Sequence, residues 1–150
     1  MKRHGSLFEQ IIDMDNLREA YRRACRGKSR KSAVVRFARN PEPRLEQIQQ
    51  SLLDETFRTA GYDTKWVHEP KARLIYVLPF SPDRIVQHAI MNIVEPIWNA
   101  MFISDSYSCR KGKGLHAGSR RVMGFVRQYK YCLKCDIYKF YPSIHHDTLY

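Results

Sequence analysis

The side chains with the clearest chemical potential lie in the last stretch of the chain, "KYCLKCDIYKFYPSIHHDTLY", Lys130 to Tyr150. Alternation in "YCLKCDI" puts Tyr131, Leu133 and Cys135 on one side and Cys132, Lys134 and Asp136 on the other, which predicts a half-buried strand. Asp136 then stands at the end of that strand, with the aromatic pair Phe140 and Tyr141 just beyond it. A carboxylate so placed can hold Mg²⁺ against a triphosphate. Phosphoryl transfer with two such ions, roughly 3.5–4 Å apart, needs more carboxylates than this one.

Cations complete the chemistry that a phosphate ligand would require. "TKWVHE" and "RLIYVLP" flank "PKA", so Thr64 to Pro79 reads as a β-hairpin carrying Lys71 and Arg73 at its tip, clear of any core. Gly112 and Gly114 alternate with Lys111 and Lys113 behind Arg110, a basic loop able to bring backbone N–H groups near phosphate. It does not match the G-x-x-x-x-G-K-[ST] phosphate loop. A third basic stretch, "RGKSRKSAVVRFAR" from Arg26 to Arg39 and including Arg30 and Lys31, is either a solvated loop or a phosphate contact.

Two tempting ligand sets are set aside. Cys132 and Cys135 form a C-x-x-C, but strand periodicity separates their thiols and no second cysteine pair accompanies them, so the four cysteines read as small apolar residues of a reduced cytosolic protein. His145, His146 and Asp147 are sequence neighbours, which seldom aim at one metal, and read as a solvated loop.

These groups need elements to position them. A first helix is expected from Asp13 or Asp15, with Leu17, Ala20, Tyr21 and Ala24 on one face and Gly27 as its stop. A second spans about Glu42 to Ala60, striped by Leu45, Ile48, Leu52 and Phe57 and ended by Gly61. "SPDRIVQHAIMNIVEPIW" predicts a core helix with Ser81 as N-cap, Pro82 in first position, Asp83 in the first turn, and Pro96 kinking or ending it. Its Arg84, Gln87 and His88 read as surface or structural groups. A short helix from about His116 to Tyr129 leads into the last strand.

With 150 residues, 43% of them hydrophobic, the chain suffices for one ordinary globular domain. The excess of 26 Lys+Arg over 15 Asp+Glu gives a net charge of +11, the footprint of a polyanion binder: nucleic acid first, an anionic membrane surface second. No apolar run approaches the roughly 18 residues of a membrane span, and the basic N-terminus lacks a following apolar core, so the chain is expected to be soluble and cytoplasmic.

"DIYKFYPSI" resembles the first palm motif of reverse transcriptases, "PKARLIYVLPFSPDRIVQHAIMNIVEPI" resembles their fingers segment, and "DSYSCRKGKGLHAG" resembles the block that follows. The wording "EPKARLI", "RIVQHAIMNIVEPI" and "SYSCRKGKGLHAG" is most similar to diversity-generating retroelement enzymes, with group II intron and retron enzymes next. The resemblance implies an α+β fold with three parts. Residues 1–61 would be a helical region with a basic loop, 62–129 the fingers, and 130–150 the first palm strand of a right-hand polymerase.

The resemblance also implies roles. Asp136 would bind both catalytic Mg²⁺ ions and Ile137 would lend its carbonyl to one. Arg73 and Lys71 would reach the incoming deoxynucleotide triphosphate, and Tyr141 would lie under its sugar and exclude a 2′-hydroxyl. Arg30, Lys31, Arg110, Lys111 and Lys113 would hold the RNA template and the RNA/DNA duplex. Relatives carry a Tyr-x-Asp-Asp turn and a thumb downstream, which this sequence lacks. The expectation is therefore the N-terminal part of an RNA-directed DNA polymerase, inactive by itself, with an exposed terminal strand edge open to dimerisation and a retroelement accessory protein as a further partner. The alternative is a non-catalytic basic RNA-binding module.

Overall fold

The computed structural model describes residues 3–149, and the chain divides into two units, Met1–Met101 and Phe102–Tyr150. The division falls inside the stretch expected to form the fingers. The first unit carries four helices, α1 (Leu7–Ile12), α2 (Met14–Cys25), α3 (Ser32–Ala38) and α4 (Pro41–Leu53), then strands β1 (Asp63–Val67) and β2 (Arg73–Val77), an irregular turn Phe80–Arg84, and α5 (Ile85–Met101).

α2 starts where an N-cap should place it. The Asp13 carboxylate accepts from the N–H groups of Asp15 and Asn16 at 3.0 and 3.2 Å, and beyond Cys25 the chain reverses through Gly27 at φ 67°. Leu17, Ala20 and Ala24, spaced three and four apart, are buried against Ile85, Val86 and Ala89 of α5, with Val34, Phe37, Leu45 and Ile48 closing the core. Tyr21, Phe37 and Phe80 interlock, with ring centroids 5.0 to 6.5 Å apart. Asn16 locks α2 to α5 by donating to the carbonyl of Ala89 at 3.1 Å and accepting from Asn92 at 2.8 Å.

Several expectations are corrected. The basic stretch Arg26 to Arg39 is not one loop, because Val34 and Phe37 supply an apolar edge and fold Ser32–Ala38 into α3. α4 ends at Leu53 rather than near Ala60. Asp54 caps it, Glu55 takes φ 55°, and Phe57 returns to the core from outside the helix. Ser81 is extended (φ −132°, ψ 140°), the backbone an N-cap residue takes, but the turn that follows it is irregular, and α5 runs from Ile85 through Pro96 to Met101.

β1 and β2 form a two-stranded antiparallel sheet in which Lys65 faces Ile75, Trp66 faces Leu74 and Val67 faces Arg73. The hairpin lies where the sequence puts it.

In the second unit, α6 spans Leu115–Gln128, a 3₁₀ turn covers Tyr141–Ser143, and a short α7 covers His146–Leu149. None of its described residues is buried, and Leu115, Val122, Met123 and Val126 of α6 are exposed. The expected strand at 131–136 is absent. Residues 131–137 have no ladder partner among the described residues, and without one the alternating pattern has no face to bury. The open sheet edges among the described residues belong to β1 and β2.

Candidate nucleic-acid interface

Asp136 is exposed at the end of the extended segment, followed by Ile137, also exposed, and a turn over residues 138–140. Lys139 takes φ 46°, and its carbonyl accepts from the Ser143 hydroxyl at 2.9 Å, which closes the turn. Phe140 and Tyr141 meet edge to face at 5.3 Å, and Tyr141 stays 82% exposed, so its ring is available to a ligand rather than committed to a core. Among the described residues no group of three His, Cys, Asp or Glu could hold a metal ion. Asp136 supplies one carboxylate and does not make an Mg²⁺ site by itself. Cys132 and Cys135 are free and exposed, and His145 approaches Asp147 only at 4.0 Å.

The basic loop is organised rather than slack. Arg110 donates to the carbonyls of Ile103 and Ser106 at 2.9 and 3.2 Å, and Lys113 donates to that of Ser104 at 2.6 Å while lying 5.1 Å from the Tyr107 ring centre. Asp105 accepts from Arg121 at 2.9 and 3.3 Å and from the Tyr107 hydroxyl at 3.0 Å. The Arg121 hydrogen bond, helped by that of Tyr107, holds the Asp105 carboxyl below its ordinary pKa. Gly112 and Gly114, at φ 75° and 103°, let the loop double back to α6. Two of its three cations thus shape the loop through backbone carbonyls, and Lys111 is the exposed one.

In the first unit the hairpin presents Arg73 as the first residue of β2 and Lys71 in the tip before it, both exposed. The face shared by Trp66 and Leu74 also bears Tyr76, which meets Tyr62 edge to face at 5.9 Å, while the Trp66 and His68 rings stack at 6.4 Å. Aromatic rings beside cations suit bases and phosphates together. Arg30 and Lys31 are exposed in the turn before α3.

Sequence reasoning missed a cavity of about 560 Å³ between α3, α4 and Pro79–Pro82, lined in part by Arg36, Arg44 and Gln47. Arg44 donates to the Arg36 carbonyl at 2.8 Å and covers the Phe37 ring. Its signal was the burial of Phe37, which requires a helix in the basic stretch.

Among the described residues no helix is long and apolar enough to cross a membrane. No protein-family model matches the chain. Over 101 residues, 67% of the chain, it is 25% identical to nuclear intron maturase 4, mitochondrial, of Arabidopsis thaliana, and it spans 13% of that protein's length. The likeness is distant and agrees in outline with the reverse-transcriptase-like relationship implied by the three sequence blocks.

Proposed function

We propose that the chain is the fingers and first palm segment of a reverse-transcriptase-type protein that copies an RNA template into DNA. The observation that carries this reading is the hairpin Asp63–Val77, formed where the fingers block lies and presenting Lys71 and Arg73 at its exposed end. In this reading Arg73 and Lys71 bind the deoxynucleotide triphosphate, and Tyr141 lies against its sugar. Arg30, Lys31 and Lys111 hold phosphates of the template and duplex, with Arg110 and Lys113 shaping the loop that carries Lys111. Asp136 contributes a carboxylate and Ile137 a carbonyl to Mg²⁺ binding that needs further ligands, and bound Mg²⁺ would activate the 3′-hydroxyl and hold the leaving pyrophosphate. On branch, likeness to an intron maturase favours the intron type over the diversity-generating type, with its accessory protein.

A second reading, a non-catalytic RNA-binding module, rests on the net charge of +11 and the exposed cations alone. Primer extension on an RNA template with Mg²⁺ and deoxynucleotides separates the two. It is run on the 150-residue chain and on the longest polypeptide that carries it. RNA binding by both with extension only by the longer supports the polymerase; binding by both with extension by neither supports the module.

A further inference from the structure

The cavity of about 560 Å³ in the first unit has two helical walls and a third formed by Pro79–Pro82. Ala33, Arg36 and Phe37 of α3 line it, as do Arg44, Gln47, Ile48 and Ser51 of α4, and spacings of three and four keep each set on one side of its helix. The walls grade from wet to dry. Arg36 and Gln47 are exposed at the rim, Arg44 and Ser81 are half-buried, and Phe37, Ile48 and Phe80 form a buried floor. Arg44 is held in place: it donates at 2.8 Å to the Arg36 carbonyl, an acceptor left open in the last turn of α3, and its guanidinium lies 5.5 Å from the centre of the Phe37 ring. The side chains of Arg36, Gln47 and Ser81, by contrast, make no hydrogen bond or ion pair among the described residues. No Asp or Glu among the described residues lines the cavity, so its two arginines meet no anion there.

We propose that this cavity takes one unpaired nucleotide of an RNA chain, with its phosphate on Arg36 and Arg44, its base against the apolar floor, and the Gln47 amide and Ser81 hydroxyl on the base edge. A phosphate alone would leave the floor wet, and a purely apolar ligand would leave the arginines without a counter-charge. A nucleotide satisfies both, because it joins an anion that a guanidinium fork suits to a flat base that packs on apolar side chains. The volume lies within the range of about 300–1,000 Å³ in which proteins hold small ligands. An amide and a hydroxyl can each both donate and accept, as the edge of a base requires. An RNA chain, rather than an acidic peptide, follows from the surroundings: Arg30, Lys31 and Arg39, all exposed and flanking α3, extend the positive surface past a single nucleotide, towards a ligand that repeats its charge at every unit. The site rests on the RNA-binding half of the proposed function and is independent of whether the protein polymerises.

The test is fluorescence anisotropy on the full chain, with a labelled single-stranded RNA and with the same sugar–phosphate chain lacking its bases, over a range of salt concentrations. The parent should prefer the base-bearing RNA about tenfold. Arg36→Gln should weaken binding about fourfold at about 0.15 M salt and reduce the log–log salt slope by about 0.7. Arg22→Gln, which removes a cation already paired with Glu19, should change neither. Ala33→Leu adds apolar bulk to the cavity wall at an exposed helical position and leaves every charge in place, so it should erase the preference for bases while keeping the slope. Parental affinity and slope in Arg36→Gln, or a parental preference for bases in Ala33→Leu, overturns the proposal. So does binding of poly-glutamate that depends on Arg36 and Ala33 when RNA binding does not. RNA binding by the parent that none of these variants alters leaves the RNA-binding half of the proposed function standing without this site, whereas no RNA binding by the parent removes both.

Discussion

The Asp83 carboxylate accepts a hydrogen bond from the backbone N–H of Ala60 at 3.0 Å, joining the segment just before β1 to the turn just after β2. Asp83 is 1% exposed, and its second oxygen has no partner among the described residues. The hairpin is exposed on both faces, so this bond across its stem, rather than packing along its strands, ties it to the helical core.

Asp83→Ala should therefore destabilise the first unit by about 1–3 kcal/mol, because it leaves the Ala60 N–H without its acceptor. Asp83→Asn retains an acceptor and should cost less. Denaturant unfolding of both variants checks this, and equal stabilities of Asp83→Ala and the parent would show that the stem bond contributes nothing.

A second prediction concerns the loop of the second unit. The folded pKa of Asp105 lies below its ordinary value, so the stabilisation from Arg121 and Tyr107 is fully present above the ordinary carboxylate pKa and is lost as pH falls through the depressed one. NMR shifts of Tyr107 should follow that acid transition. Asp105→Asn should abolish it and loosen the loop at all pH values.

A third prediction follows from the cations. RNA affinity of the chain should fall steeply with salt, by about 0.7 in log–log slope for each phosphate neutralised on a single strand. Arg73→Ala and Lys111→Ala should each reduce the slope, since both side chains are exposed. Arg110→Ala should instead act through loop structure, because Arg110 holds the carbonyls of Ile103 and Ser106. A salt-independent affinity would remove the electrostatic reading.

Local signals were legible where one segment settles its own structure. Asp13 caps α2, Gly27 turns the chain after it, and the strand alternation around "PKA" yields the hairpin. What was not legible depends on partners elsewhere in the chain. "YCLKCDI" alternates as a strand should, yet a strand exists only with a neighbour to bond, and residues 131–137 have none among the described residues. The basic stretch hid α3 because its charges outnumber the two apolar residues, Val34 and Phe37, that decide the fold. The same holds for the site: Lys71 and Arg73 were visible at a hairpin tip, whereas the cavity beside Arg36 and Arg44 forms only through the packing of α3 and α4 with Pro79–Pro82.

The last prediction separates chemistry from stability at Asp136. The residue is exposed and lies outside any metal-binding group of described residues, so Asp136→Asn should leave stability within about 0.5 kcal/mol of the parent. RNA binding should change little, because a carboxylate repels phosphate rather than holding it. If the protein carrying this chain extends a primer, however, the same substitution should abolish extension, since Asn keeps the size but not the negative charge that a divalent ion requires. The three measurements are a thermal melt, an RNA titration and primer extension with Mg²⁺, each made on the parent and on Asp136→Asn. Extension at the parental rate by the variant would place the reacting centre elsewhere, and a large loss of stability would mean that Asp136 has a structural partner instead of a catalytic one.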